Sequence, residues 1–315
     1  MAEPRTTAAL DHPARPGQRF VRNSPLTGLL RTARPRQWVK NVLVLAAPTA
    51  AGRTFSTGVL LHLVETFALF CVASSAVYLV NDAQDVEADR AHPTKRHRPV
   101  AAGRVPVPLA YGAGGALAAA APLATALLCN APTALVLAAY VVMQLLYCFR
   151  LKHVQVVDLV VVTTGFLMRA AIGGPATGVP LSRWFLITTG FGALLMVSAK
   201  RYSELTALRG DAARSRALLA SYTAGYLRFV WQLAAAVAVL SYCLWALEAP
   251  PALPRDTLLW RQLSIIPFVL GVLRYAMFAD RGEAGAPEDV VLRDRPLLVT
   301  AAVWAALYGL TLARI

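Results

Sequence analysis

The chain alternates between long apolar runs and short charged segments. Nine nearly uncharged runs fall at 37–54, 59–80, 107–128, 132–149, 156–175, 184–199, 229–247, 261–279 and 297–313. Their length and apolarity suit membrane spans. The pattern therefore predicts an all-α membrane protein of about nine transmembrane helices. The first run is interrupted by Lys40 and Asn41. The longest charged segments, 81–106 and 200–228, follow the second and sixth runs, which suggests a pseudo-repeat without marked sequence identity. The segment 248–260 is the one long connection on the opposite side, with Pro250, Pro251 and Pro254.

Composition supports this picture. Of 315 residues, 57% are hydrophobic and only 15% charged, which excludes an ordinary soluble domain. The net charge of +14 could suit nucleic acid, but its distribution argues otherwise. Of the 31 Lys and Arg, 25 lie on one set of alternate segments and five on the other, while Arg169 lies deep within a run. Positive segments mark the cytoplasmic side, so the N-terminus is expected inside and the C-terminus outside a plasma membrane. The basic excess then serves topology, anionic lipid and phosphate, and no nucleic-acid partner is expected. Residues 1–33 read as a disordered cytoplasmic tail, since they begin rich in Ala, Pro, Arg and Thr and lack a signal-peptide core. Residues 34–315 read as one membrane catalytic domain. Cys71, Cys129, Cys148 and Cys243 fall in or beside apolar runs without a CxxC spacing, and are read as small buried side chains. A homo-oligomer is left open.

Candidate chemistry begins where the second run ends, at Asn81-Asp82-Ala-Gln-Asp85-Val-Glu-Ala-Asp89. If the helix continues, Asn81, Asp85 and Asp89 share a face with Asp82 beside them. Like charges this close repel one another unless a divalent cation neutralises them. Hard oxygen donors suit Mg2+, which usually brings phosphate oxygens with it. A solvated acidic segment is the plainer alternative. Between Pro93 and Pro99 lie Lys95, Arg96 and Arg98, where restricted backbone could aim cations inward at phosphate. Tyr147 and Lys152 lie in and beside the short connection after the fourth run, with Arg150 and His153. Asp158 opens the fifth run, where it either contacts ribose or supports the metal site, or only complements the helix dipole. Lys40 either contacts substrate or snorkels. Arg169, eleven residues past Asp158, is expected to pair with Glu65 of the second run.

These residues also carry a family resemblance. Asn81-Asp82-x-x-Asp85-x-x-x-Asp89 resembles the first Asp-rich motif of the UbiA superfamily of intramembrane prenyltransferases. Arg34-Pro35-Arg36-Gln37-Trp38-Val39-Lys40-Asn41, Asn81 to Gly103, Tyr147-x-x-Arg150-Leu151-Lys152-His153 with Asp158, and Ser198-Ala199-Lys200-Arg201-Tyr202-Ser203-Glu204 resemble its decaprenyl-phosphate phosphoribosyltransferase branch. The resemblance runs from about Arg34 to the C-terminus. It implies a UbiA-like bundle with a cytoplasm-facing cavity open to lipid, Mg2+ held by Asn81, Asp82, Asp85 and Asp89, 5-phosphoribosyl diphosphate as donor and polyprenyl phosphate as acceptor, for cell-wall arabinan. It also implies substrate contacts at Lys40, Asn41, Lys95, Arg96, Arg98, Tyr147, Lys152 and Asp158. One departure matters. Prenyl-diphosphate enzymes of this fold carry a second Asp-rich motif after the sixth span, where this chain has Lys200 and Arg201. Those cations suit a phosphate that stays attached to its substrate, although Lys200 could merely pair with Glu204. Two alternatives stay open: prenyl transfer from a prenyl diphosphate, and a membrane transporter.

Overall fold

The computed structural model of the protein describes residues 24–52, 56–207, 221–248 and 255–313. The chain enters through α1 (Pro25–Thr32), a 3-10 segment (Pro35–Leu45) and α2 (Ala46–Ala50). It continues through α3 (Thr57–Gln84), α4 (Val86–Ala91), α5 (Val107–Leu128), α6 (Ala131–Phe149), α7 (Val157–Ala171), α8 (Gly173–Thr177) and α9 (Arg183–Ala207). The last third holds α10 (Ala224–Leu247), α11 (Arg255–Leu263), α12 (Ile265–Asp280), α13 (Pro287–Arg293) and α14 (Arg295–Ala313).

Among the described residues, seven helical stretches are long and apolar enough to cross a membrane: 57–84, 107–128, 131–149, 157–177, 224–247, 258–280 and 295–313. This is a multi-pass membrane protein. The two other expected spans take different forms. The described part of the first run, 37–52, is not one regular α-helix but the end of the 3-10 segment, the short α2 and a turn. Pro48 has no N–H to offer the Val44 carbonyl one turn earlier. That carbonyl instead faces Gly173, where a Cβ would lie only 2.0 Å from it. The sixth run becomes α9, 25 residues long, or about 37 Å at helical rise, with Arg183, Lys200, Arg201 and Glu204 near its ends.

The two larger apolar cores divide the bundle, with a small third one at Ala83, Val100, Val105 and Ala110. One gathers Phe70, Ala73, Val77, Leu137 and Tyr140 around α3, α5 and α6. The other gathers Leu159, Leu195, Tyr202, Leu227 and Trp231 around α7, α9 and α10. In the first, Gly114 lets α5 lie against α3, since a Cβ there would come within 2.7 Å of Val80. Small residues at such contacts bring membrane helices close enough for dispersion to act. Outward-facing leucines such as Leu127 and Leu135, 86% and 72% exposed, suit hydrocarbon as their solvent.

Three expectations change. Of the anticipated tail, residues 1–23 lie outside the described ones, but Pro25–Thr32 is a helix. Ser24 caps its N-terminus, and Gly28 and Thr32 are buried. Arg169 does not pair with Glu65. Its guanidinium donates to the Tyr140 hydroxyl at 2.9 Å and sits 5.2–5.6 Å from the ring centroids of Phe70, Tyr140 and Phe166. Aromatic faces attract a desolvated cation without any carboxylate. Glu65 instead meets His62 of its own helix at 3.3 Å. The acidic helix also does not run through unbroken. It stops at Gln84, Asp85 takes a non-helical backbone, and α4 starts at Val86. The backbone bonds from Asp85 to Asn81 and from Asp89 to Asp85 survive, at 2.9 and 2.8 Å.

Candidate active site

The end of α3 is a nest of opposite charges. Asp82 and Asp89 are each 2% exposed. A carboxylate buried to that extent needs partners, and each finds them in cations from elsewhere in the chain. One Asp82 oxygen accepts from Arg34 at 2.5 Å and from Arg98 at 3.2 Å. The same Arg98 nitrogen reaches Asp89 at 2.7 Å, and Lys95 stands 3.9 Å from Asp89. Asp85, less buried, accepts from Lys152. The connection between Pro93 and Pro99 thus turns Lys95 and Arg98 inward as expected, but leaves Arg96 exposed. Asn81 is half-buried beside the nest.

A second charged group lies at the end of α9. Arg201 reaches Asp158 at 3.0 Å and Glu204 at 3.1 Å. Arg201 is therefore a partner of Glu204, and its neighbour Lys200 is half-buried. Asp158 is 2% exposed and opens α7 just after an unusual turn. Val156 has φ +65, and the Val157 N–H bonds back to the Gln155 carbonyl at 2.7 Å. A β-branched residue pays steric strain in such a γ-turn. The Val156 N–H is held by the Tyr222 hydroxyl at 2.6 Å, and burial raises the Tyr222 phenol above its usual range, so the hydroxyl stays protonated at neutral pH. Tyr147 and Lys40 are half-buried. Asn41 is 1% exposed, and its amide donates to Cys71 and Ser74 of α3 at 3.1 and 3.3 Å. That side chain ties the 3-10 segment to α3.

The donor set of hard oxygens fits Mg2+, and the acids stand at the end of a helix long and apolar enough to cross a membrane. Among the described residues, however, no three His, Cys, Asp or Glu side chains converge on a ready-made metal cage. Mg2+ commonly takes one or two carboxylates and completes its shell with waters and substrate phosphates. Asp82, Asp85 and Asp89 carry the oxygen donors for a part-site of that kind.

An apolar cavity of about 730 Å³ opens between the 3-10 segment, α9, α10, α12 and α14. Val39, Leu43, Thr189, Met196, Trp245 and Trp304 are among its walls. Its volume is in the range of ligand sites. Thr188, Thr189, Gly192, Leu195 and Met196 mark its stripe along α9, and Lys200 is the next position on that stripe.

Sequence reasoning passed over Arg34 as a site residue, since a cation before a first span reads as a topology signal. Its position before Pro35 was the one local hint. Tyr222 and the Val156 turn left no signal, because both depend on contacts made far along the chain.

Residues 42–293 match the UbiA prenyltransferase family. The chain is 50% identical over 297 residues to the decaprenyl-phosphate phosphoribosyltransferase of Mycobacterium tuberculosis, covering 91% of this chain and 95% of that one. It is 45% identical over 307 residues to the protein of the same name from Corynebacterium glutamicum, covering 96% and 91%. In fold it is similar to a UbiA homolog from Archaeoglobus fulgidus bound to GPP and Mg2+, with a TM-score of 0.70 and 17% identity over 91% of this chain and 99% of that one. With a family match across most of its length and relatives at this identity, the chain belongs to the UbiA prenyltransferase family.

Proposed function

We propose that the protein transfers a 5-phosphoribosyl group from 5-phosphoribosyl diphosphate to a polyprenyl phosphate, decaprenyl phosphate being the acceptor its relatives' names point to, and releases diphosphate. The observation that carries the reading is 45–50% identity to phosphoribosyltransferases over 91–96% of this chain. The product would feed cell-wall arabinan.

The charged nest supports this chemistry. As the bond from ribose C1 to the diphosphate breaks, negative charge builds on the leaving group and positive charge on C1 and the ring oxygen. Mg2+ held by Asp82, Asp85 and Asp89 would neutralise charge on that leaving diphosphate. Arg34, Arg98, Lys95 and Lys152 already gather there and can donate to phosphate oxygens. The acceptor phosphate is anionic at neutral pH, so its oxygen attacks C1 without a strong base. Catalysis then rests on positioning and electrostatics. Attack opposite the leaving group inverts the anomeric centre. The isoprenoid would lie in the 730 Å³ apolar cavity, with its phosphate at the end where Lys200 follows Met196.

Purified protein incubated with labelled 5-phosphoribosyl diphosphate, Mg2+ and a panel of polyprenyl phosphates should yield a phosphoribosylated lipid by mass spectrometry. Prenylation of an aromatic or lipid acceptor from a prenyl diphosphate, without ribosyl transfer, would reverse the assignment. We also place this chemistry on the cytoplasmic face. Cysteines introduced singly at Arg96 and Glu248, both exposed, should label from outside the cell at 248 and not at 96. Labelling at 96 from outside inverts the topology.

A further inference from the structure

Arg34 has a backbone that its sequence does not favour. Its φ of 54 and ψ of 60 are left-handed, a region few residues other than glycine occupy. The following Pro35 disfavours helical backbone at Arg34 as well. Among the described residues only Arg34 and Val156 combine a side chain with positive φ. Such strain persists where the surroundings over-determine it, and it clusters at functional sites.

The surroundings here are one stripe of α3. Ser75, Tyr78 and Asp82 lie three, then four residues apart, on a single face. Ser75, whose hydroxyl donates mainly to the Cys71 carbonyl of its own helix at 2.7 Å, lies 3.3 Å from the Ala33 carbonyl and accepts from the Trp38 indole at 3.1 Å, so it touches both sides of the strained turn. The Tyr78 ring lies 4.8 Å below the guanidinium. Asp82 receives the guanidinium itself. The turn is therefore clamped so that Arg34 lands on a buried aspartate that Arg98 already contacts.

That arrangement has a consequence for the metal site, resting on the function proposed above. We propose that Arg34 is a latch: it occupies Asp82 until a diphosphate draws its guanidinium away, so that divalent metal and donor bind cooperatively rather than independently. Metal alone would enter a nest that already holds Arg34, Arg98 and Lys95 against Asp82 and Asp89, and like charge opposes it. A diphosphate supplies acceptor oxygens for the displaced guanidinium and ligands for the metal in the same event. The strain at Arg34 keeps the latch within reach of Asp82 while leaving it no deep backbone minimum there.

Mn2+ binding followed by electron paramagnetic resonance tests this without turnover. In the wild type, inorganic diphosphate should tighten Mn2+ binding by about fivefold to a hundredfold, the range of ordinary site coupling. Arg34→Ala should bind Mn2+ alone more tightly than the wild type, and diphosphate should add much less. Arg34→Gly, which also relieves the positive φ, should behave like Arg34→Ala in Mn2+ binding and unfold at no lower temperature than Arg34→Ala. Arg34→Lys should restore part of the coupling. Unchanged Mn2+ affinity in folded Arg34→Ala, or undiminished coupling, overturns the latch. So does a wild-type structure with Mg2+ and diphosphate in which Arg34 still holds Asp82. The ribosyl-transfer reading fails separately, because any diphosphate donor at this site would engage the latch, whereas only the transfer assay identifies the sugar.

Discussion

The ends of α3 and α9 occupy corresponding places, each closing the central helix of one apolar core, yet their charges are arranged in opposite ways. At the α3 end the acids come from α3, its cap and α4, as Asp82, Asp85 and Asp89, and the cations come from other segments, near and far in the chain. At α9 the helix supplies the cation, Arg201, and α7 supplies the buried acid, Asp158. Both ends are electrostatically satisfied, but they offer an arriving ligand different things. The α3 end holds carboxylates whose partners can leave for phosphate. The α9 end offers a cation fixed by carboxylates and, beside it, Lys200. A diphosphate with its metal suits the first. A monophosphate that stays attached throughout the reaction suits the second. On the reaction proposed above, the two ends would divide the leaving diphosphate and the retained phosphate between them.

The largest effect should come from removing the acids at α3. Asp82→Ala, Asp85→Ala and Asp89→Ala should each lower kcat/KM by about a hundredfold or more, the scale on which loss of a transition-state electrostatic contact is felt. Donor binding that depends on Mg2+ should weaken in parallel. Near-normal turnover at limiting Mg2+ in any two of the three would remove the metal role from this end.

At the α9 end the main loss should be stability. Asp158→Ala leaves the Arg201 guanidinium, 17% exposed, without its buried partner. Breaking a buried pair from one side costs about 3–5 kcal/mol. Glu204 still holds Arg201 at 3.1 Å, so the lower end of that range is expected. It should appear as a lower Tm in detergent. Asp85→Ala, whose side chain is 28% exposed, should shift Tm much less while abolishing activity. Similar Tm losses in the two variants would erase the contrast between the ends.

How far these ends were legible in the sequence follows from the range of each interaction. The acid stripe and its membrane-edge position are local, and the spans at 59–80, 107–128 and 132–149 fall within or close to the helices observed. Two of the partners at the α3 end are not local. Arg34 meets Asp82 across 48 residues and Lys152 meets Asp85 across 67, so only the folded bundle reveals which cation serves which acid. The first expected span departs from a single α-helix because apolar content does not distinguish one from a 3-10 segment followed by a short α-helix that contains Pro48. The Glu65 pairing failed because an aromatic cage has no charge pattern to read. At α9, Arg201 rather than Lys200 took Glu204, a choice between neighbours that tertiary contact with Asp158 decides.

The smallest effect should come from Lys200. Arg201 is the cation that the structure places on Glu204, so loss of Lys200 leaves that pair intact. Its place one turn past Met196, on the stripe of α9 that walls the apolar cavity, puts it where a lipid's phosphate would leave hydrocarbon. A part-exposed cation of this kind contributes at most about 1 kcal/mol, or about fivefold in binding. Lys200→Ala should therefore raise KM for polyprenyl phosphate by about that factor, with KM for the ribosyl donor and the Mg2+ requirement unchanged. Separate KM determinations for the two substrates decide the matter. A rise confined to the donor would move Lys200 to the leaving-group side. The α9 end would then share the diphosphate with α3 rather than hold the phosphate that is retained.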